Sequence, residues 1–386
     1  MSKDEAPPLP CKKPNILWWL GGFFLLLVCL FLWQIFGPDP PIIVSRQTTF
    51  ITSPLRPDGL PDYERYILEL YRKGVTPENN AAVLLWQALW PGELDPKHYA
   101  LVAEELGLEE IPAEEDSLVA LRGLDSSNPS VSLPDAVIER SMSTPWTSEQ
   151  MPPLAVWLKE NQAPLDLVVK ASRRPRYYSP LPTLLDGSND SLFATLLPGL
   201  QSVRGAARSL ATRAMWHLGE GRIDEAWQDL LATHRLARLV SQGNFFVDQL
   251  VAIAIDGMAC RATQALLHYG GLESAQLEQV RRDLDSLPNF TSLANSIGQS
   301  ERAGFIDAVL SVGPRRGGVS LSELGFGNEV EYLNVMAIDW NVALRMGNDF
   351  FDRYENAARL PSGPQRRQAF DQIEADIQPS GLHQCF

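Results

Sequence analysis

The stretch "FFVDQLVAIAIDGMACRATQALLHY", Phe245 to Tyr269, decides how the rest of the chain is read. It is apolar almost all round and long enough to cross a bilayer at about 1.5 Å per residue. Asp248, Asp256 and Arg261 interrupt it, and ionisable groups are costly in hydrocarbon. The segment is therefore expected to be the central core helix of an all-α fold. On that reading Asp256 is partly buried and requires a partner.

Asn15 to Phe36, "NILWWLGGFFLLLVCLFLWQIF", reads differently. Its 22 residues carry no charge, and such a helix spans about 30 Å of hydrocarbon. Trp18, Trp19 and Trp33 lie near its two ends, where interfacial aromatics sit. The following "LWQIFGPDP" lacks the small residues of a signal-peptide cleavage site. Cys29 follows Val28 in mid-span, which does not suit a lipoprotein. An uncleaved anchor is expected. Lys12 and Lys13 precede it, and the next basic residue is Arg46. The positive-inside bias puts the short tail in the cytoplasm and the bulk outside, on the periplasmic side in a bacterium.

The remaining chain divides by composition. Residues 1–14 are a tail, 15–36 the anchor and 37–60 an extended Pro-rich linker; 61–190 form a subdomain of short helices and loops, and 191–386 one of long helices. Helices are expected near 198–219, 222–241, 245–269, 273–286, 290–312, 329–359 and 363–377. "PDYERYILELYRKG" and "DPKHYALVAEELG" add two earlier ones, stopped by Gly74 and Gly107. No stretch alternates as a strand does. The predicted fold is all-α, an irregular array of antiparallel helices after an N-terminal transmembrane helix.

In "GVTPENNAAVLLWQALWP" (Gly74 to Pro91), Thr76 is expected to cap a short buried helix, with Pro77 at its first position. Glu78 then meets the positive end of the helix dipole. Trp90, preceding Pro91, marks its end. Capping does not account for Asn79 and Asn80, which are expected to hydrogen-bond to neighbouring loops.

"GEGRIDEAWQDLLATHRLARL" (Gly219 to Leu239) is similar to the second half of a tetratricopeptide repeat. Gly221 would make the turn, and Asp224, Glu225 and Ala226 match that motif. Arg213 stands where a core leucine is usual. No second copy is present, so the resemblance implies one helical hairpin and not a repeat array. The layout also resembles membrane-anchored helical proteins of planctomycete-type bacteria, through "DYERYILELYRKGVTPENNAAVLLWQALWP", "ASRRPRYYSPL" and "RLARLVSQGNFFVDQLVAIAI". That group brings no reaction with it, so this resemblance implies architecture only.

With 386 residues, 45% of them hydrophobic, the chain is long enough for one large or two small cores. A net charge of -14 does not suit nucleic acid, which needs a basic face. Four cysteines and five histidines show no recognised metal spacing, so neither a metal nor a cofactor is expected. Cys260 and Cys385 either pair or stand as one buried and one tail thiol. HExxH, GxSxG, Walker and GxGxxG motifs are missing.

Three polar constellations are candidates. Arg173, Arg174 and Arg176 stand beside Tyr177 and Tyr178 in "SRRPRYYSP"; guanidinium forks and aromatic faces suit an anionic or sugar-bearing ligand. The same arginines would also serve as helix C-terminal caps. Asn341, Arg345, Asn348 and Asp352 recur at spacings of 4, 3 and 4, on one helix face that would line a polar cleft, build a buried network or stand solvated. Glu301 and Asp307 point to opposite sides of their helix and are not expected to share a site. The expectation is an anchored extracytoplasmic binding or scaffold module with a protein partner in the cell envelope. The alternative is an envelope hydrolase acting on cell-wall or glycan material, which requires Arg174, Arg176, Tyr177, Asn348 and Asp352 to converge in one pocket.

Overall fold

A computed structural model describes residues 16–36, 40–89, 96–108, 117–119, 121, 134–181, 185, 197–243, 245–312 and 339–377. Among them the chain is mostly helical, with no strand beyond two isolated bridges. The helices are α1 (Ile16–Phe36), α2 (Tyr63–Arg72), α3 (Ala81–Ala88), α4 (Pro96–Leu106), α5 (Asp135–Ser141), α6 (Pro152–Glu160), α7 (Gln162–Ser172) and α8 (Leu197–Gly219). They continue as α9 (Ile223–Val240), α10 (Phe246–Tyr269), α11 (Ser274–Asp285), α12 (Leu293–Ser296), a π-helical turn (Ile297–Glu301), α13 (Arg302–Val312), α14 (Trp340–Arg359) and α15 (Gly363–Ile377).

Helices α8, α9 and α10 form the centre, and small residues let them approach closely. Ala206, Ala207, Ala211 and Ala214 on α8, Ala226 and Ala237 on α9, and Ala252, Ala259 and Ala262 on α10 are all fully buried. Leu210, Met215, Leu230, Leu236, Ile255 and Leu266 fill the spaces between them. Each such side chain contributes about 1.5–3 kcal/mol on burial. Among the described residues α10 is long and apolar enough to cross a membrane, but half of that apolar window is buried inside the protein. It is the core helix that its charged interruptions predicted.

The α8–α9 turn is a Schellman motif. Gly221 adopts φ +76, a conformation that strains residues bearing a Cβ. The Arg222 N–H reaches the His217 carbonyl at 2.8 Å, and the Gly221 N–H reaches that of Leu218 at 3.1 Å.

The packing crosses the boundary expected at 190/191. One core joins α3–α7 with α8–α11. A second takes Ile51, Leu60, Tyr63 and Ile67 from the N-terminal side and Ala303, Ile306, Leu310 and Leu344 from α13 and α14. Phe245, at the start of α10, belongs to it and is fully buried. The described part of the expected spacer is thus packed into the fold: residues 42–51 lie against α14. The helix expected near 290–312 runs without interruption from Leu293 to Val312, with a π-helical turn inside it; of the span expected at 329–359, residues 340–359 are helical and 329–338 lie outside the described residues.

Helix α3 departs from expectation at its start. Its N-cap is Asn80 and not Thr76: the Asn80 carboxamide oxygen accepts from the Ala82 N–H at 3.1 Å. Thr76 to Asn80 instead form a turn before the helix. Asn79 closes it, accepting from the Thr76 N–H at 2.9 Å and donating to the Gly74 carbonyl at 3.1 Å. The Thr76 hydroxyl and a backbone N–H hold the exposed Glu78 carboxyl below its ordinary range. The helix ends at Ala88, two residues before Trp90.

Candidate functional site: an arginine-lined cleft along α9

The "SRRPRYYSP" loop leaves the C-terminus of α7 and divides in two. Its second half is structural. The Arg176 N–H donates to the Asn79 carbonyl at 3.1 Å, and the Arg176 carbonyl accepts from Ala81 at 2.8 Å. Its guanidinium donates to the Lys73 carbonyl at 2.8 Å. Asn80, only 2% exposed, clamps Tyr178 from both sides. It accepts from the Tyr178 N–H at 2.9 Å and donates to the Tyr178 carbonyl at 2.8 Å. Tyr177 and Tyr178 are buried, and burial raises both phenol pKa values. The Tyr178 hydroxyl donates to Glu105 at 2.9 Å. Both tyrosines belong to the core, with Tyr177 9% and Tyr178 4% exposed.

The first half of the loop opens onto a cleft of ≈ 700 Å³ between α7, α9 and α11. Arg173, Arg174, Arg235 and Arg238 line it, with Gln228, Gln242, Gln279 and Asp283. Two of the arginines are engaged. Arg174 donates to the Pro77 and Asn80 carbonyls at 2.6 and 2.7 Å. Arg238 holds Asp256 at 2.7 Å and covers the Phe290 ring at 4.0 Å. Among the described residues, Arg173 and Arg235 make neither a hydrogen bond nor a salt bridge through their guanidinium groups. Partial burial, then the Arg173 cation, hold Arg235 below its ordinary pKa against the pull of Asp283. Asp283 is itself occupied, accepting from Trp227 at 2.8 Å and Gln279 at 2.9 Å.

A second cleft, ≈ 510 Å³, shares Arg173 and Gln228 and extends toward the α8–α9 turn. Its floor is a buried ion cluster that explains Arg213. Arg213 Nε and Nη2 grip Asp229 at 2.9 and 2.7 Å, and Nη1 reaches Asp166 on α7 at 2.8 Å. Burial acts to lower the Arg213 pKa, but the Asp229 and Asp166 carboxylates together outweigh it and the net shift is upward. His217 stays neutral, with its pKa lowered to about 4 by burial, then Arg222 and Arg213. It accepts from Arg222 Nε at 2.8 Å.

The polar face of α14 is not a cleft. Asn341 accepts from the Ile43 N–H at 2.8 Å and donates to the Pro41 carbonyl at 3.0 Å. Asn348 donates to the Thr48 and Gln47 carbonyls at 2.7 and 3.1 Å. Both are buried pins for the N-terminal segment. Arg345 is exposed, and Asp352 pairs on the surface side with the buried Arg302 at 2.6 Å. Glu301 and Asp307 part company as expected: Glu301 accepts from the Phe246 N–H at 2.7 Å, and Asp307 pairs with Arg56 at 2.7 Å. Arg174 and Arg176 thus bind backbone around α3, Asn348 binds the N-terminal segment and Asp352 binds Arg302, so these side chains do not share one pocket among the described residues.

Sequence reasoning missed Arg235, which looked like one more charge on a helix, and Asp256's partners. His234 Nδ1 lies 2.8 Å from Asp256 Oδ1, a pairing across 22 residues that no local spacing signals. His234 is buried, and His234 with Arg238 brings Asp256 below its ordinary pKa despite burial. Comparison with protein-family models, curated proteins and solved structures returned no match.

Proposed function

We propose that the chain is a single-pass, membrane-anchored binding module that recognises an anionic group of its ligand in the α7–α9–α11 cleft. The observation that carries this reading is the pair Arg173 and Arg235. Two neighbouring guanidinium groups, without a hydrogen-bond or salt-bridge partner among the described residues, face a ≈ 700 Å³ space on a chain of net charge -14. Unpaired like charges repel, and a carboxylate or phosphate relieves that repulsion with bidentate hydrogen bonds. Gln228, Gln242 and Gln279 add neutral amides around the same space. The uncharged α1, whose side chains from Gly22 to Leu27 are exposed, supports the role of membrane anchor. The lysines at 12 and 13 support placing the helical bulk outside the cytoplasm, where its partner is a component of the cell envelope.

The test is tagged full-length protein purified from membranes, compared with an Arg173→Gln/Arg235→Gln variant of unchanged circular dichroism. The wild type should retain a stoichiometric acidic partner or anionic small molecule that the variant loses by at least about tenfold, as expected for two charge-assisted contacts. Identical copurified material from both would reject the cleft as the binding site.

A further inference from the structure

Helices α9 and α10 bring three side chains together behind the arginine cleft: His234, Asp256 and Cys260. Asp256 and Cys260 are four residues apart on α10, so they share a face. His234 reaches them from α9. One donor atom of each lies within 4.8 Å of the others. An imidazole, a carboxylate and a thiol are together the donor set of zinc-class ions, whereas calcium and magnesium take oxygen alone. We propose that His234, Asp256 and Cys260 hold a thiophilic divalent cation, zinc by the chemistry of these donors.

The surroundings suit that role. The Thr263 hydroxyl lies 3.2 Å from His234 Nε2. Metal binding would shift the imidazole proton from Nδ1, where it is donated to Asp256, to Nε2, where the Thr263 hydroxyl accepts it; that frees the Nδ1 lone pair for the ion, with Thr263 as the outer partner that orients the ring. Asp256 Oδ1 is occupied by His234 and by Arg238 at 2.7 Å. Oδ2 accepts no hydrogen bond among the described residues, so it is the oxygen available to an ion. Arg238 is held independently by the Pro288 carbonyl at 3.1 Å and by Phe290, and it orients the carboxylate without occupying that second oxygen. Cys260 is exposed and not the buried thiol the sequence suggested, because it sits on the outer side of α10, and this provides the entry path. Binding would replace the thiol proton by the metal–sulfur bond and release that proton to solvent. Three protein donors leave a fourth position for water or a ligand atom.

The bland reading is a charge network that ties α9 to α10. It accounts for His234, Asp256 and Arg238, and it assigns nothing to Cys260. The two readings separate experimentally. Full-length protein in detergent, kept reduced and stripped with a chelator, is titrated with Co²⁺ as a spectroscopic probe and assayed for zinc by elemental analysis. The expected result is one equivalent of metal and a thiolate-to-cobalt charge-transfer band. Cys260→Ser, at an exposed position, should abolish the band and leave the helical circular dichroism intact. Thr263→Val should weaken binding by about 10- to 100-fold, as loss of an outer partner does. Wild-type protein that binds no cobalt while Cys260 titrates as a free thiol would overturn the proposal. So would a band that survives Cys260→Ser, or a Cys260 already locked in a disulfide in protein taken from membranes.

Discussion

Replacing Arg213 with methionine should destabilise the protein by about 3–5 kcal/mol, because it leaves a buried carboxylate without its counter-charge. The magnitude follows from the setting. The Asp229 side chain is 4% exposed and its two oxygens both face Arg213. Asp166, by contrast, is half exposed and returns to water at little cost. One rescue is available. His217 Nε2 lies 3.8 Å from Asp229, and its pKa of about 4 is held down partly by the Arg213 charge. In the variant that charge is gone and a bare carboxylate stands beside the ring, so the His217 pKa rises. At pH ~5 the wild-type His217, held at about 4, refuses a proton that the unfolded chain takes up, which costs stability; a higher pKa in the variant removes part of that cost, and no such difference remains at pH ~8, where the ring is neutral in both states. The deficit should therefore be smaller at pH ~5 than at pH ~8. Urea unfolding of the detergent-solubilised protein, followed by far-ultraviolet circular dichroism, measures both. Arg213→Met/Asp229→Leu should recover most of the loss, since a well-packed apolar pair often equals a buried ion pair. A single-variant cost below about 1 kcal/mol, or a double variant equal to the sum of the two singles, would refute the argument.

Three further outcomes are expected. Asn80→Ala removes a helix cap and both clamps on Tyr178, and should cost about 2–4 kcal/mol in chemical unfolding; a change within about 0.5 kcal/mol would show the clamp to be idle. Asp248 is lifted to about 7, first by burial, so the folded state holds a proton that the unfolded state releases. Stability should therefore fall as pH rises from about 4 to about 7, by up to about 4 kcal/mol. Asp248→Asn, which can still accept from the Phe245 N–H, should flatten that slope and be the more stable protein at pH ~8. Asn348→Ala should loosen residues 42–51, seen as faster amide exchange there with α8–α10 unchanged; uniform exchange across the protein would show that the segment is held by its apolar contacts alone.

Much of the fold could be read from local signals. Turn glycines with positive φ at 74, 107 and 221 end helices where the sequence placed stops. The expected ranges for the long helices from 197 to 285 agree with the observed ones to within about two residues, because apolar periodicity persists over many turns. The α3 cap was misplaced by four residues because Thr76 and Asn80 are both competent caps. Tyr178, 98 positions away, decides between them.

By itself, then, the sequence determined the helical class, the turns and the uncharged N-terminal helix. These depend on propensity and spacing within a few residues. Tertiary structure alone decided what each polar group does. Asn341 and Asn348 became pins for backbone some 298–301 residues earlier. Arg213 found Asp229 and Asp166 on two other helices, Arg173 met Arg235 across a cleft, and His234 met Asp256 and Cys260. The physical reason is that a buried polar group must find a partner wherever packing brings one. Helix packing, which a single chain's spacing does not display, sets which faces meet.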